Sequence, residues 1–177
     1  YVYALGKITE AYEKPVPAIQ KADEQMGVVI SRTHHVVWER SGSFLMNSIA
    51  GIEMQKAQGQ ISGFAACVSM VLKANHVSVD ATALSKKKSA IYPMLAQYME
   101  EPVNLTGATL DQVLYFVSNN KYVIAVTGDS TAVVISGYDT KKITVYNPVS
   151  GKVETYKRTQ AEKLFKDNGN SFFSYLN

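Results

Sequence analysis

Apolar positions recur along this chain with two periods, and the period changes mark its parts. Val2 to Tyr12 is rich in β-forming residues, with Gly6-Lys7 as a candidate turn. Pro15 and Pro17 then stand where a helix can begin, because a first-turn N–H has no intrahelical acceptor to lose. Ala18, Ile19, Ala22 and Met26 follow at helical spacing, and Gly27 supplies a stop. Val28-Val29-Ile30 starts a strand, and Val36-Val37-Trp38 continues in extended form after a break at Ser31 to Thr33. These residues predict a small β-α-β unit. With its linker it is expected to occupy residues 1–50, leaving a main domain over 51–177.

Residues 41 to 61 read as an irregular connector, with Ser41-Gly42-Ser43, Asn47-Ser48 and a Gln/Gly stretch from Gln55 to Gln60. The spacing then predicts a helix from Ser62 to Ala74. Ser62 is its candidate N-cap, and Phe64, Cys67, Val68, Val71 and Leu72 form its apolar face. Further helical pieces are expected at Val79 to Ser85, Ile91 to Met99 and Thr109 to Val117. After Asn119-Asn120 the period shortens. Tyr122 to Val126, Ala132 to Ser136, Ile143 to Tyr146 and Lys152 to Tyr156 read as strands. Gly128-Asp129, Asp139-Thr140 and Pro148 to Gly151 are the turns between them. A helix at Thr159 to Asp167 and a strand at Ser171 to Leu176 complete the pattern. Helices followed by an antiparallel meander predict an α+β fold.

Composition narrows the chemistry. The 177 residues are 46% hydrophobic and 19% charged, enough to bury a core in one domain with an appended unit. A formal charge of +3, with scattered cations and one run at Lys86 to Lys88, gives no nucleic-acid footprint. No apolar run reaches the ~20 residues of a membrane span. The single cysteine, Cys67, excludes an internal disulfide, and no Cys/His spacing fits a metal site. The glycines are isolated turn residues and form no phosphate loop, so no cofactor is implied. The chain begins at Tyr1 without Met or a signal sequence, as expected of a processed or trimmed piece of a longer precursor.

Two segments carry a resemblance. Gly59 to Leu72, GQISGFAACVSMVL, resembles the nucleophile helix of C39-like, papain-fold, bacteriocin-processing peptidases. Ser130 to Pro148, STAVVISGYDTKKITVYNP, resembles the second half of that fold, where a catalytic His opens a strand, a Gly-Tyr-Asp turn follows, and an orienting Asp or Asn precedes Pro. In this register Gly63 falls at the catalytic cysteine and Thr131 at the catalytic histidine. Asn147 falls at the orienting position, and Cys67 matches a core-packed cysteine one turn later. Gln58 and Gln60 both lie near the oxyanion-hole glutamine, neither at the family's usual spacing. The resemblance implies a papain-like fold whose catalytic pair is lost. Val2 to Ile30 and Val36 to Arg40 also resemble the upstream part of predicted surface lipoproteins of Gram-positive gut anaerobes, which implies an extracellular or cell-surface location.

The residues taken without the resemblance point the same way. A nucleophilic cysteine needs a lowered pKa, some exposure and a nearby base. Cys67 lies a turn inside its helix on an apolar face. His76 is nine residues further along that helix, about 13 Å at 1.5 Å per residue, beyond hydrogen-bond reach. His34 and His35 precede a strand in the first unit. Ser62 at the helix start is read as a cap, and no G-x-S-x-G elbow surrounds it. The expected function is therefore non-catalytic recognition of a peptide or cell-surface ligand. The remnant cleft would lie between the Ser62 helix and the Ala132 strand, lined by Gln60, Ser62, Gly63, Thr131 and Asn147. The alternative is an active cysteine peptidase or amidase built on Cys67, and a third reading is a structural spacer.

Overall fold

The computed structural model describes residues 1–40, 45–87 and 89–176. The Ser41-Gly42-Ser43 part of the expected connector and Lys88 of the lysine run lie outside these residues.

The first unit is an antiparallel sheet with one helix on it. Strands β1 (Val2–Ala4) and β2 (Lys7–Glu10) form a hairpin, helix α1 (Pro15–Gln25) follows, and β3 (Val28–Ile30) and β4 (Val36–Glu39) complete the sheet in the order β2-β1-β3-β4. The β-α-β expectation is thereby refined. A hairpin stands before the helix, and β1 and β3 pair antiparallel, with Val2 opposite Val29. The hairpin turn is Leu5-Gly6, one residue earlier than the Gly6-Lys7 expected, and Leu5 itself takes the left-handed conformation. Leucine gives no sequence signal for that conformation. Pro15 and Pro17 sit in the first turn of α1, and Val16, Ala18, Ile19 and Ala22 bury its inner face.

Among the described residues the main sheet has seven strands. Its path runs β10 (Lys152–Lys157), β9 (Lys142–Asn147), β8 (Thr131–Tyr138), β7 (Val123–Gly128), β11 (Phe172–Tyr175), β6 (Pro102–Asn104), and β5 (Asn47–Ser48) pairs with the end of β8. Successive side chains along its central strands enter opposite cores. Val133 and Ile135 face α5 (Leu110–Ser118) and α6 (Arg158–Asp167) in a core continuous with α1 and the first sheet. Ala132 and Val134 face α2 (Gly63–Ala74), with α3 (Ala81–Lys86) and α4 (Ile91–Ala96) packed beside it.

Helix α2 is buried nearly all round, from Gly63 through Leu72 with Phe64 half-buried. A helix apolar on every side belongs in a core. Val68, Met70, Val71 and Leu72 each contribute on the order of 1.5–3 kcal/mol by burial. The connector before it is pinned at three points. Ile49 N donates to Ser136 O at 2.7 Å, Tyr122 Oη to Ala50 O at 2.8 Å, and Ala57 N to Pro148 O at 2.9 Å. These bonds fix where α2 begins relative to β8.

Candidate functional site

The start of α2 lies against the start of β8. Ser62 caps the helix: its Oγ accepts from Ala65 N at 3.2 Å, while its own N–H donates to Ser85 Oγ at 2.7 Å. Gly63 is buried, and a Cβ placed on it would stand 2.7 Å from Ser130 O and 3.1 Å from Thr131 Cα. Helix and strand are therefore in backbone contact at this point. The space that a side chain at position 63 would need is already filled by the β7–β8 turn.

Thr131 is half-buried and faces the backbone of Gly128 across the hairpin. Its Oγ1 accepts from the Thr127 hydroxyl at 3.2 Å. Ala132 and Val134 point to α2, so alternation directs Thr131 with Val133 to the other face of the sheet. Asn147 is held by its own turn. Its Oδ1 accepts from Val149 N at 3.0 Å and Ser150 N at 3.4 Å, and its Nδ2 donates to Glu154 Oε2 at 3.1 Å. Gln60 is exposed in the turn after Gly59. The structure thus brings Gly63 and Thr131 together through the backbone, while Asn147 serves the β9–β10 turn.

Glu154 is the polar centre that sequence reasoning missed. It also accepts from Ser150 Oγ at 2.5 Å and from Tyr156 Oη at 2.9 Å. These donors, Ser150 first, hold its carboxyl below the usual carboxylate range. The period-2 alternation of β10 placed Glu154 on a strand, but its cross-turn partner depends on the turn geometry.

Cys67 is fully buried, 0% exposed, in the apolar core on the α2 side. Burial alone pushes its thiol pKa far up from the ordinary value of 9.0, with no cation or donor acting against it. A thiol in that state is a small hydrophobe. The three imidazoles are exposed: His34 in a turn, His35 with Nδ1 3.2 Å from Glu101 Oε2, and His76 beyond the end of α2. Among the described residues no three His, Cys, Asp or Glu side chains are grouped to hold a metal ion. No helix among them is long and apolar enough to cross a membrane.

A solved structure from Bacillus anthracis, named for a C39-like peptidase, superposes with a TM-score of 0.67 over 73% of this chain and 97% of that one, at 14% identity. No protein-family model matches the sequence, and no curated protein matches it. The structural likeness shows that the chain has the α+β fold of C39-like peptidases.

Proposed function

We propose that this C39-like fold works as a catalytically inert module that binds and does not cut. The observation that carries the reading is the head of α2, where glycine stands at position 63 and the Ser130 carbonyl fills the place of its side chain. Covalent acyl transfer needs a nucleophile and a base within hydrogen-bond reach of each other. In the register of the resemblance the two positions hold Gly63 and Thr131. Cys67, the other candidate nucleophile, sits in an apolar core, and no base lowers its thiol pKa.

The ligand class proposed is a peptide or cell-surface component resting on the exposed rim of the same region. Gln60 is exposed there and Ser62 is half-buried at the helix start, while Thr131 contributes its backbone and turns its side chain to the far face of the sheet. Gly63 sets the floor, and Asn147 acts only by shaping the adjoining turn. Incubation with a fluorogenic peptide library, read beside the Cys67→Ala variant, tests the reading. The expected result is no turnover by either protein. Turnover by the unaltered chain that Cys67→Ala abolishes while the fold persists would establish the peptidase alternative.

A further inference from the structure

The outer face of the first sheet is exposed and mostly apolar, with the exposed carboxylate of Glu39 at its β4 edge, opposite Val28. Tyr3 lies between Ile8 and Val28 across the strands, and Ile30 pairs with Val36 on one side and with Tyr1 through a 2.9 Å backbone bond on the other. Tyr1, Tyr3, Ile8 and Val36 are all exposed. The face ends in two adjacent turn tips. Extending the β1–β3 register beyond Tyr3 opposite Val28 sets Leu5 opposite Met26. A Cβ on Gly27 would lie 3.2 Å from the Ala4 Cβ, which places the two turns side by side.

Both tip residues break the usual turn chemistry. Leu5 has φ 53° and Met26 has φ 50°, a backbone region that favours Gly or Asn. Leu5 is 94% and Met26 81% exposed, so neither gains appreciable packing among the described residues in return. Two large apolar groups are thus projected into solvent, at a backbone cost, on the rim of an apolar sheet.

We propose that this face docks on the interfacial region of a lipid bilayer, with Leu5 and Met26 inserted. Three observations choose this occupant. The tips are convex, and a soft apolar medium accepts protruding side chains without a matching pocket. Tyrosines such as Tyr1 and Tyr3 suit the boundary between acyl chains and headgroups. The face measures roughly 19 by 16 Å, on the order of 300 Å², against about 800 Å² per partner in a stable dimer. Residues 1–40 carry five Lys/Arg and five Asp/Glu, so their formal charges cancel. Docking is then driven by apolar insertion and is indifferent to anionic lipid.

Flotation of the chain with phosphatidylcholine vesicles is the test, beside the double variant Leu5→Asn, Met26→Asn. Asparagine suits the left-handed conformation, so the variant keeps its thermal unfolding midpoint or raises it. The unaltered chain is expected to float, and the variant to partition at least about tenfold more weakly. Adding phosphatidylserine is expected to change partition by less than about twofold. The proposal is overturned if the unaltered chain stays in solution, if the variant floats equally, or if binding requires the anionic lipid. It is also overturned if sedimentation shows self-association that the double variant abolishes while vesicles recruit nothing, because a second copy then covers the face.

Discussion

A methyl group added at Gly63 has no room, because Ser130 O and Thr131 Cα already occupy its place. Two effects of opposite sign meet there. Alanine in place of glycine favours a helix by up to about 1 kcal/mol. Forcing an atom against backbone costs about 1–3 kcal/mol. The contact is with main chain, which cannot rotate aside, so Gly63→Ala is expected to lower stability by about 1–2 kcal/mol. A urea midpoint that stays level or rises would show that helix and strand separate easily. Sequence identified Gly63 and Thr131 as positions of interest through the resemblance. That they meet backbone to backbone was not legible, since glycine marks close approach and turn alike. The burial of Cys67 was legible, because its helix neighbours Val68, Val71 and Leu72 are apolar.

The elements follow their local signals closely where those signals are strong. Ser62 caps its helix as expected, and Thr109, expected only as the first residue of its helix, caps it instead through a reciprocal capping box with Gln112. The strands from β7 to β10 appear where alternation predicts them. Two short strands escaped the pattern. Strand β6 is three residues opening with proline, and β5 is two residues within the connector. Each exists because a neighbouring strand offers an edge, which is a tertiary cause with no local trace. Asn147 shows the same limit. Its side chain accepts two N–H groups of the β9–β10 turn and donates to Glu154. Asn147→Ala is therefore expected to cost about 1–2 kcal/mol by unpairing these groups. The loss should appear as a lower thermal midpoint and faster amide exchange at Val149 and Ser150. Unchanged exchange there would show that the turn does not depend on Asn147.

At the scale of the molecule, one sheet separates two cores. The core on the α5–α6 side continues into the first sheet through Val2, Ile19, Val29 and Trp38, and Trp38 Nε1 donates to Gln112 O at 3.1 Å. That continuity joins the first unit to the main sheet, and sequence reading, which works segment by segment, gave no view of it. The fold is shared with a solved structure at 14% identity, so a pattern of burial is retained where residue identities are not. The proposed inertness is tested at the state of the one thiol. Burial raises the Cys67 pKa above its unfolded value, so the fold holds the proton more tightly than the open chain does. The associated stability is whole below pH 9.0 and declines as pH rises through the unfolded value. Reaction with an alkylating agent must then wait for the structure to open. The most direct measurement is the alkylation rate of Cys67 in the folded protein between pH 6 and pH 9, compared with the rate in urea. The expected folded rate is at least about a thousandfold slower, rising with pH and showing no inflection below about pH 8. A fast folded reaction that levels off below about pH 7 would reveal a thiolate paired with a base, and would contradict the claim that this fold carries no catalytic nucleophile.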